Sequence, residues 1–311
     1  MSKEVEDKLD KIPVLNILVR LGKKVKIPGL EGMSLYDVIE MYIIGIVQGA
    51  LTTRASGIAY SFFMAIFPFM LFVLTLIPYI PIDGFQESLM TLISEILPPK
   101  TFSDVDTVLL DIIKNKKAGW LSFGFLASIF LMTNGVNAIF GGFEFSYHVK
   151  EARNFLRAYF LSMLVSLIMA LFLIITVTLT VFYKLLLDAA INKAWIENET
   201  LWLSFGRGAL FVFMIFTIVS ILYKYGIKTG KHSRFLSPGS VFTTILSILT
   251  FYLFAYYVNE FAQYNKLYGS IGTLLILMLF IWLNAIILLL GFELNASINS
   301  LRIKNKTEVT E

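Results

Sequence analysis

The sequence predicts an all-α polytopic membrane protein with six transmembrane helices plus interfacial amphipathic helices. Three observations carry this. Six runs are almost free of charge: Gly57 to Pro81, Gly119 to Phe143, Ala158 to Leu187, Phe205 to Tyr223, Pro238 to Val258 and Ile271 to Phe292. Each matches the roughly 20 apolar residues needed to cross a bilayer. The composition fits a lipid environment, with 57% hydrophobic and 15% charged residues, where a soluble domain carries about 25% charged. The basic residues, finally, concentrate in alternate loops.

That alternation sets the orientation. Lys3, Lys8, Lys11, Arg20, Lys23, Lys24, Lys26 and Arg54 crowd the first segment. Basic residues recur at Lys150, Arg153 and Arg157, at Lys224, Lys228, Lys231 and Arg234, and at Arg302, Lys304 and Lys306. The intervening loops hold fewer. Positive residues stay on the cytoplasmic side, so both termini are expected there. The net charge of +4 then reflects orientation and attraction to anionic lipid rather than nucleic acid. There is no cysteine, which excludes disulfides, thiolate catalysis and cysteine-based zinc sites.

Residues 1–33 carry mixed charge and read as a cytoplasmic arm. Residues 34–298 form the expected membrane domain, and 299–311 a cytoplasmic tail. Ser34 opens a helix with Asp37 at the capping-box position. Leu35, Val38, Ile39, Tyr42, Ile43, Ile46 and Val47 give it an apolar stripe suited to the cytoplasmic interface. Pro68 interrupts the first crossing, where a missing N–H bends a helix; Pro78 and Pro81 end it. Outer amphipathic helices are expected over 85–116, in two pieces divided by Pro98 and Pro99. They either line the membrane surface or cover a cavity. The third run is about 45 Å long at the helical rise and must tilt or project beyond the hydrocarbon.

Within the second crossing Asn134, Asn137, Gly141 and Glu144 fall on one narrow helical face. Polar groups in hydrocarbon need partners, so this face turns inward. It is either a packing seam of interhelical hydrogen bonds, helped by the small Gly135, Ala138 and Gly141, or the lining of a cavity that also includes Tyr60. Arg54 begins the first crossing; Glu144 and Glu293 end the second and sixth. All three lie at a similar depth, and a buried charge needs a partner. Arg54 is expected to contact Glu293 or Glu144, a charge layer closing the inner end of the cavity. Pro238 and Gly239 stand with Pro68 as candidate kinks or hinges. The stretches Gly119–Glu144 and Gly269–Glu293 are faintly alike: each holds Asn-Ala-Ile and ends Gly-Phe-Glu.

Enzyme signatures are absent. His148 and His232 lie in separate loops without metal-ligand spacing, and no phosphate-binding loop or nucleophile elbow occurs. No catalytic residue, metal or cofactor is expected.

Four segments carry a resemblance. They are Ala59-Tyr60 with Phe67-Pro68; Gly135-Val136-Asn137-Ala138 leading to Tyr147-His148-Val149-Lys150-Glu151-Ala152-Arg153; Ser237-Pro238-Gly239; and Tyr268-Gly269-Ser270 with Gly291-Phe292-Glu293-Leu294-Asn295-Ala296. In this order and spacing, over about residues 34–298, the chain resembles the YihY/BrkB family of bacterial inner-membrane proteins. That family carries an old label as ribonuclease BN. The family pattern often has Asn where Glu144 stands here. The resemblance implies six crossings and cytoplasmic termini but no settled activity; transport of lipids or other amphiphiles is the role suspected of such proteins. The proline-bent first crossing, the inward polar face, the outer amphipathic helices and the basic residues make a non-enzymatic transporter or flippase-like protein the expected function, with anionic membrane lipids as partners and no nucleic acid. An ion or small-solute carrier, a nuclease and a structural protein with a filled core are the alternatives.

Overall fold

The computed structural model describes residues 34–76, 84–96, 110, 118–146, 149, 153–192, 199–227, 235–261 and 270–310. Every described element is an α-helix: α1 Leu35–Gln48, α2 Leu51–Leu76, α3 Phe85–Ile96, α4 Ala118–Glu144, α5 Phe155–Asn192, α6 Glu199–Tyr225, α7 Pro238–Phe261 and α8 Ser270–Thr310. Among the described residues five helices are long and apolar enough to cross a membrane, within α4, α5, α6, α7 and α8. The chain is an all-α polytopic membrane protein. The first expected crossing, α2, is a continuous helix of 26 residues.

Several boundaries differ from the hydropathy pattern. α2 starts at Leu51 rather than near Gly57, because the joint at Gly49 and Ala50 makes the turn. Ala50 adopts φ 45°, a left-handed conformation uncommon for a residue with a Cβ, and its carbonyl accepts from Arg54 N at 3.2 Å. α5 has 38 residues, about 57 Å at the helical rise, and outruns its apolar run at both ends. α8 does not stop near 298 but continues to Thr310 over 41 residues. Pro68 does lie inside α2, where it cannot donate to the Met64 carbonyl. The arm 1–33, the second outer amphipathic piece except Leu110, and the Asp37 side chain lie outside the described residues.

The chain packs as two compact units. The first gathers the described residues up to Gly57, Phe140–Arg153 and those from Tyr223 onward. Its core is Phe140, Phe143, Tyr223, Leu289 and Phe292, all buried. α7 lies along α8 most extensively. Contact is that close because both helices present glycine: a Cβ on Gly239 would collide with the Gly291 carbonyl oxygen, and one on Gly291 with the Thr243 hydroxyl. α1 packs on the C-terminal part of α8, with Val38 and Leu301 buried against Leu294 and Ile298.

The second unit holds Ile58–Ile139 and Asn154–Leu222. Here α4 and α5 run antiparallel, joined by hydroxyls and an amide. Thr133 and Ser166 share a hydrogen bond at 3.3 Å, and Ser162 donates to Asn137 Oδ1 at 3.4 Å. The steps 133 to 137 and 162 to 166 are each one turn, so the two contacts are successive rungs of one register. Away from this seam α5 exposes Leu164, Ile168, Leu171, Ile175 and Leu179. That inversion, hydroxyls inward and branched aliphatics outward, suits a helix facing lipid. Gly135 lets the Phe62 ring approach α4 at 3.4 Å from an added Cβ. α3 packs on α5 and buries Leu89.

Candidate functional site

The first unit contains a buried ion pair. α2 begins only a few residues before Arg54, so the guanidinium leaves the helix in its first turn. α8 carries Glu293 two residues after Gly291, the glycine that lets α7 approach. Arg54 Nη2 donates to Glu293 Oε1 at 2.7 Å, with side-chain exposures of 6% and 0%. The second carboxylate oxygen accepts from Ser146 Oγ at 2.7 Å. Arg54 Nη1 donates to the Gly142 carbonyl at 2.7 Å, an end-of-helix acceptor left open by α4. Arg54 thus ties the last turn of α4 to the middle of α8.

Aromatic rings pack in the same unit. Phe143 stacks on Phe292 with centroids 4.1 Å apart and planes 7° from parallel, and Tyr223 meets Phe143 edge-on at 5.6 Å. The Tyr223 hydroxyl donates to the Leu288 carbonyl at 2.7 Å, which leaves its oxygen to accept from Thr243. From α1, Tyr42 faces the charge of Glu293. Burial first, and that charge second, push its phenol from 10.0 up to about 12.

Glu144 is placed elsewhere. Its carboxylate accepts from the Arg153 backbone N–H at 3.3 Å, while Arg153 Nη1 donates to the Tyr225 carbonyl at 2.6 Å and the guanidinium lies 5.9 Å from the Phe140 ring centroid. Burial lowers the Arg153 pKa from its ordinary value, opposed by the Glu144 charge. The structure therefore brings Arg54 to Glu293 and gives Glu144 a separate role in fastening the chain after α4.

Pro238 and Gly239 do not interrupt a helix. They are the first residues of α7, where a missing N–H costs nothing. Ser237 caps the helix: Ser240 N donates to Ser237 Oγ at 3.2 Å and Ser237 N to Ser240 Oγ at 3.1 Å. Asn295 completes the cap from α8, accepting from Gly239 N at 2.8 Å and donating to Ser237 Oγ at 2.9 Å. Ser-Pro-Gly-Ser is a legible helix start; Ser146 and Tyr223 left no pattern in the sequence by which to find them.

In the second unit Asn137 lies in the α4–α5 seam, Asn134 is half-buried beside it, and Tyr60 is 57% exposed. A shallow apolar hollow of about 590 Å³ lies on α6 instead, lined by Ser204, Phe205, Gly208, Ala209, Val212, Phe213 and Phe216. Tyr268 and Gly269 lie outside the described residues, and Ser270 begins α8.

Residues 45–310 match the family described as Virulence factor BrkB. A ribonuclease-like protein of Bacillus subtilis is 30% identical over 78% of this chain and 88% of its own length. A UPF0761 membrane protein of Vibrio campbellii is 23% identical over 90% of this chain and 85% of its own. Another, of Coxiella burnetii, is 25% identical over 76% and 84%. No solved structure matches. With a multi-pass helical fold and a family match over most of its length, the chain belongs to the Virulence factor BrkB family of membrane proteins.

Proposed function

We propose that this protein is a transporter or flippase-like handler of a lipid or other amphiphile in the bacterial inner membrane, with both termini cytoplasmic. The observation that carries the reading is the Arg54–Glu293 pair. Ionisable side chains within membrane-crossing helices are costly and concentrate on substrate and ion pathways. Here both charges are buried at 6% and 0% exposure. The face of α6 around the shallow hollow, with Phe205, Val212, Phe213 and Phe216, is apolar and suited to hydrocarbon. The basic residues of alternate loops attract anionic lipid.

An ion or small-solute carrier needs amides or charges free to hold its cargo. Asn137 is instead engaged by Ser162. The name of the Bacillus relative suggests a ribonuclease, but Glu293 has both oxygens occupied and Glu144 binds a backbone N–H. Neither is placed to activate water, and we read the chain as no enzyme.

Reconstitution tests this. Liposomes containing the protein and a head-group-labelled lipid are exposed to a membrane-impermeant quencher. Protein-dependent loss of the protected inner-leaflet signal is expected. A signal equal to that of protein-free liposomes, with phosphatidylglycerol and phosphatidylcholine alike, overturns the reading. Cysteines at Lys150 and Lys231 should label only from the cytoplasm, and one at Asn192 only from outside.

A further inference from the structure

Arg54 makes fewer bonds than its fork allows. A guanidinium carries five N–H donors. Nη1 serves Gly142 and Nη2 serves one oxygen of Glu293, so the ion pair is single-point rather than bidentate. Arg54 Nε is buried with no partner, in a side chain 6% exposed. A desolvated, unpaired donor on a cation is costly. The edge formed by Nε and an Nη is the one that binds phosphate oxygens two at a time.

We infer that Arg54 is shared between two anions: Glu293 holds it in the resting arrangement, and the phosphate of an anionic amphiphile takes it when Glu293 accepts a proton. This rests on the amphiphile reading and names its substrate class and coupling ion. The proton comes from solvent and stays on the Glu293 carboxyl; Arg54 remains charged throughout. A protonated Glu293 can still accept from Ser146, so it stays held while its claim on the guanidinium is lost. The other groups facing Glu293 do not substitute for it. Tyr42 on α1 is a neutral phenol across the physiological range, and the Tyr223 hydroxyl is bonded to Leu288 and Thr243. Glu144 is engaged by the Arg153 backbone.

The test uses the purified full chain in detergent, titrated calorimetrically with short-chain phosphatidylglycerol, short-chain phosphatidylcholine or inorganic phosphate at stepped pH. Phosphatidylglycerol affinity is expected to rise as pH falls, by at most about tenfold per pH unit, the limit for one linked proton. Glu293→Gln should bind with the acid-side affinity at every pH. Arg54→Gln/Glu293→Gln leaves no unpaired charge and should fold, yet prefer phosphatidylglycerol no more than phosphatidylcholine. A matching pH response to inorganic phosphate supports Arg54 as the anion site and assigns it to soluble phosphate. A pH slope that survives in Glu293→Gln, or a double variant that keeps the preference, overturns the inference. Equal, pH-independent binding of both lipids overturns it while the amphiphile reading stands; no saturable lipid binding at any pH removes both.

Discussion

Phe143 and Phe292 lie face to face, 4.1 Å between centroids, and each is the middle residue of a Gly-Phe-Glu tripeptide. The two copies of one short motif, at the ends of two apolar runs, meet through their rings. Their glutamates diverge: Glu293 takes Arg54 and Ser146, while Glu144 takes the Arg153 backbone. Both rings are almost fully buried. Phe143→Ala or Phe292→Ala should each cost about 3–5 kcal/mol, the range for a buried aromatic. The double variant should cost less than the sum, because the stack is lost once. Thermal unfolding in detergent measures this, and additive losses mean that the rings do not support one another.

The buried pair gives a sharper cycle. Arg54→Ala or Glu293→Ala strands the other charge and should cost about 3–5 kcal/mol. Removing both should restore much of that loss. Arg54→Ala paired with Glu144→Ala should be additive, since Glu144 is engaged elsewhere. Coupling in the Glu144 cycle and none in the Glu293 cycle would reverse the assignment.

Gly239→Ala and Gly291→Ala should fail to reach a folded, detergent-stable protein, because each Cβ is driven into the facing helix. Asn295→Ala is milder. It removes the acceptor of the Gly239 N–H and should cost about 1–2 kcal/mol, as a lost cap does. Hydrogen exchange at the start of α7 reports it locally. Unchanged protection there contradicts the cap.

At alkaline pH Tyr42 matters. Its folded phenol titrates at about 12 against 10.0 ordinarily. The contribution is whole below the ordinary value and is lost as pH rises through that interval, where the unfolded chain ionises and the folded one resists. Tyr42→Phe should therefore flatten the fall in melting temperature above the ordinary phenol range. Glu293→Gln should lower the Tyr42 titration by removing the facing charge. A spectrophotometric phenolate titration that Tyr42→Phe leaves unaltered at its alkaline end is the contrary result.

The seam between α4 and α5 makes a weak prediction worth checking. Thr133→Val with Ser166→Ala should cost only about 0.6 kcal/mol, typical of interhelical bonds in lipid. A loss of several kcal/mol would mean that the pair fixes register, not merely satisfies polar groups.

The helices were legible because hydrocarbon imposes one rule on every crossing: backbone bonds must close within the helix, and side chains must be apolar. That Arg54 needs an acidic partner was legible for the same reason. Which carboxylate it takes was not, because Glu144 and Glu293 occupy equivalent positions in their runs, and only the return of Arg153 onto Glu144 separates them. Ser146 follows a helix end with no periodicity to mark it. Proline reads as a break whether it interrupts a helix or starts one; at Pro238 it starts one, and Ser237 and Ser240, three apart around it, carry the distinction. The length of α8 was obscured because its last residues are polar, and hydropathy reports lipid rather than helix.

That length has a mechanical consequence. From Phe292 to Thr310 α8 contains neither glycine nor proline, so nothing in it yields. α1 grips it at Leu294, Ile298 and Leu301, and Glu293 lies about 12 Å from Leu301 at the helical rise. The helix beyond the crossing is therefore continuous backbone from Glu293 outward, and α1 holds it over the two turns next to the ion pair.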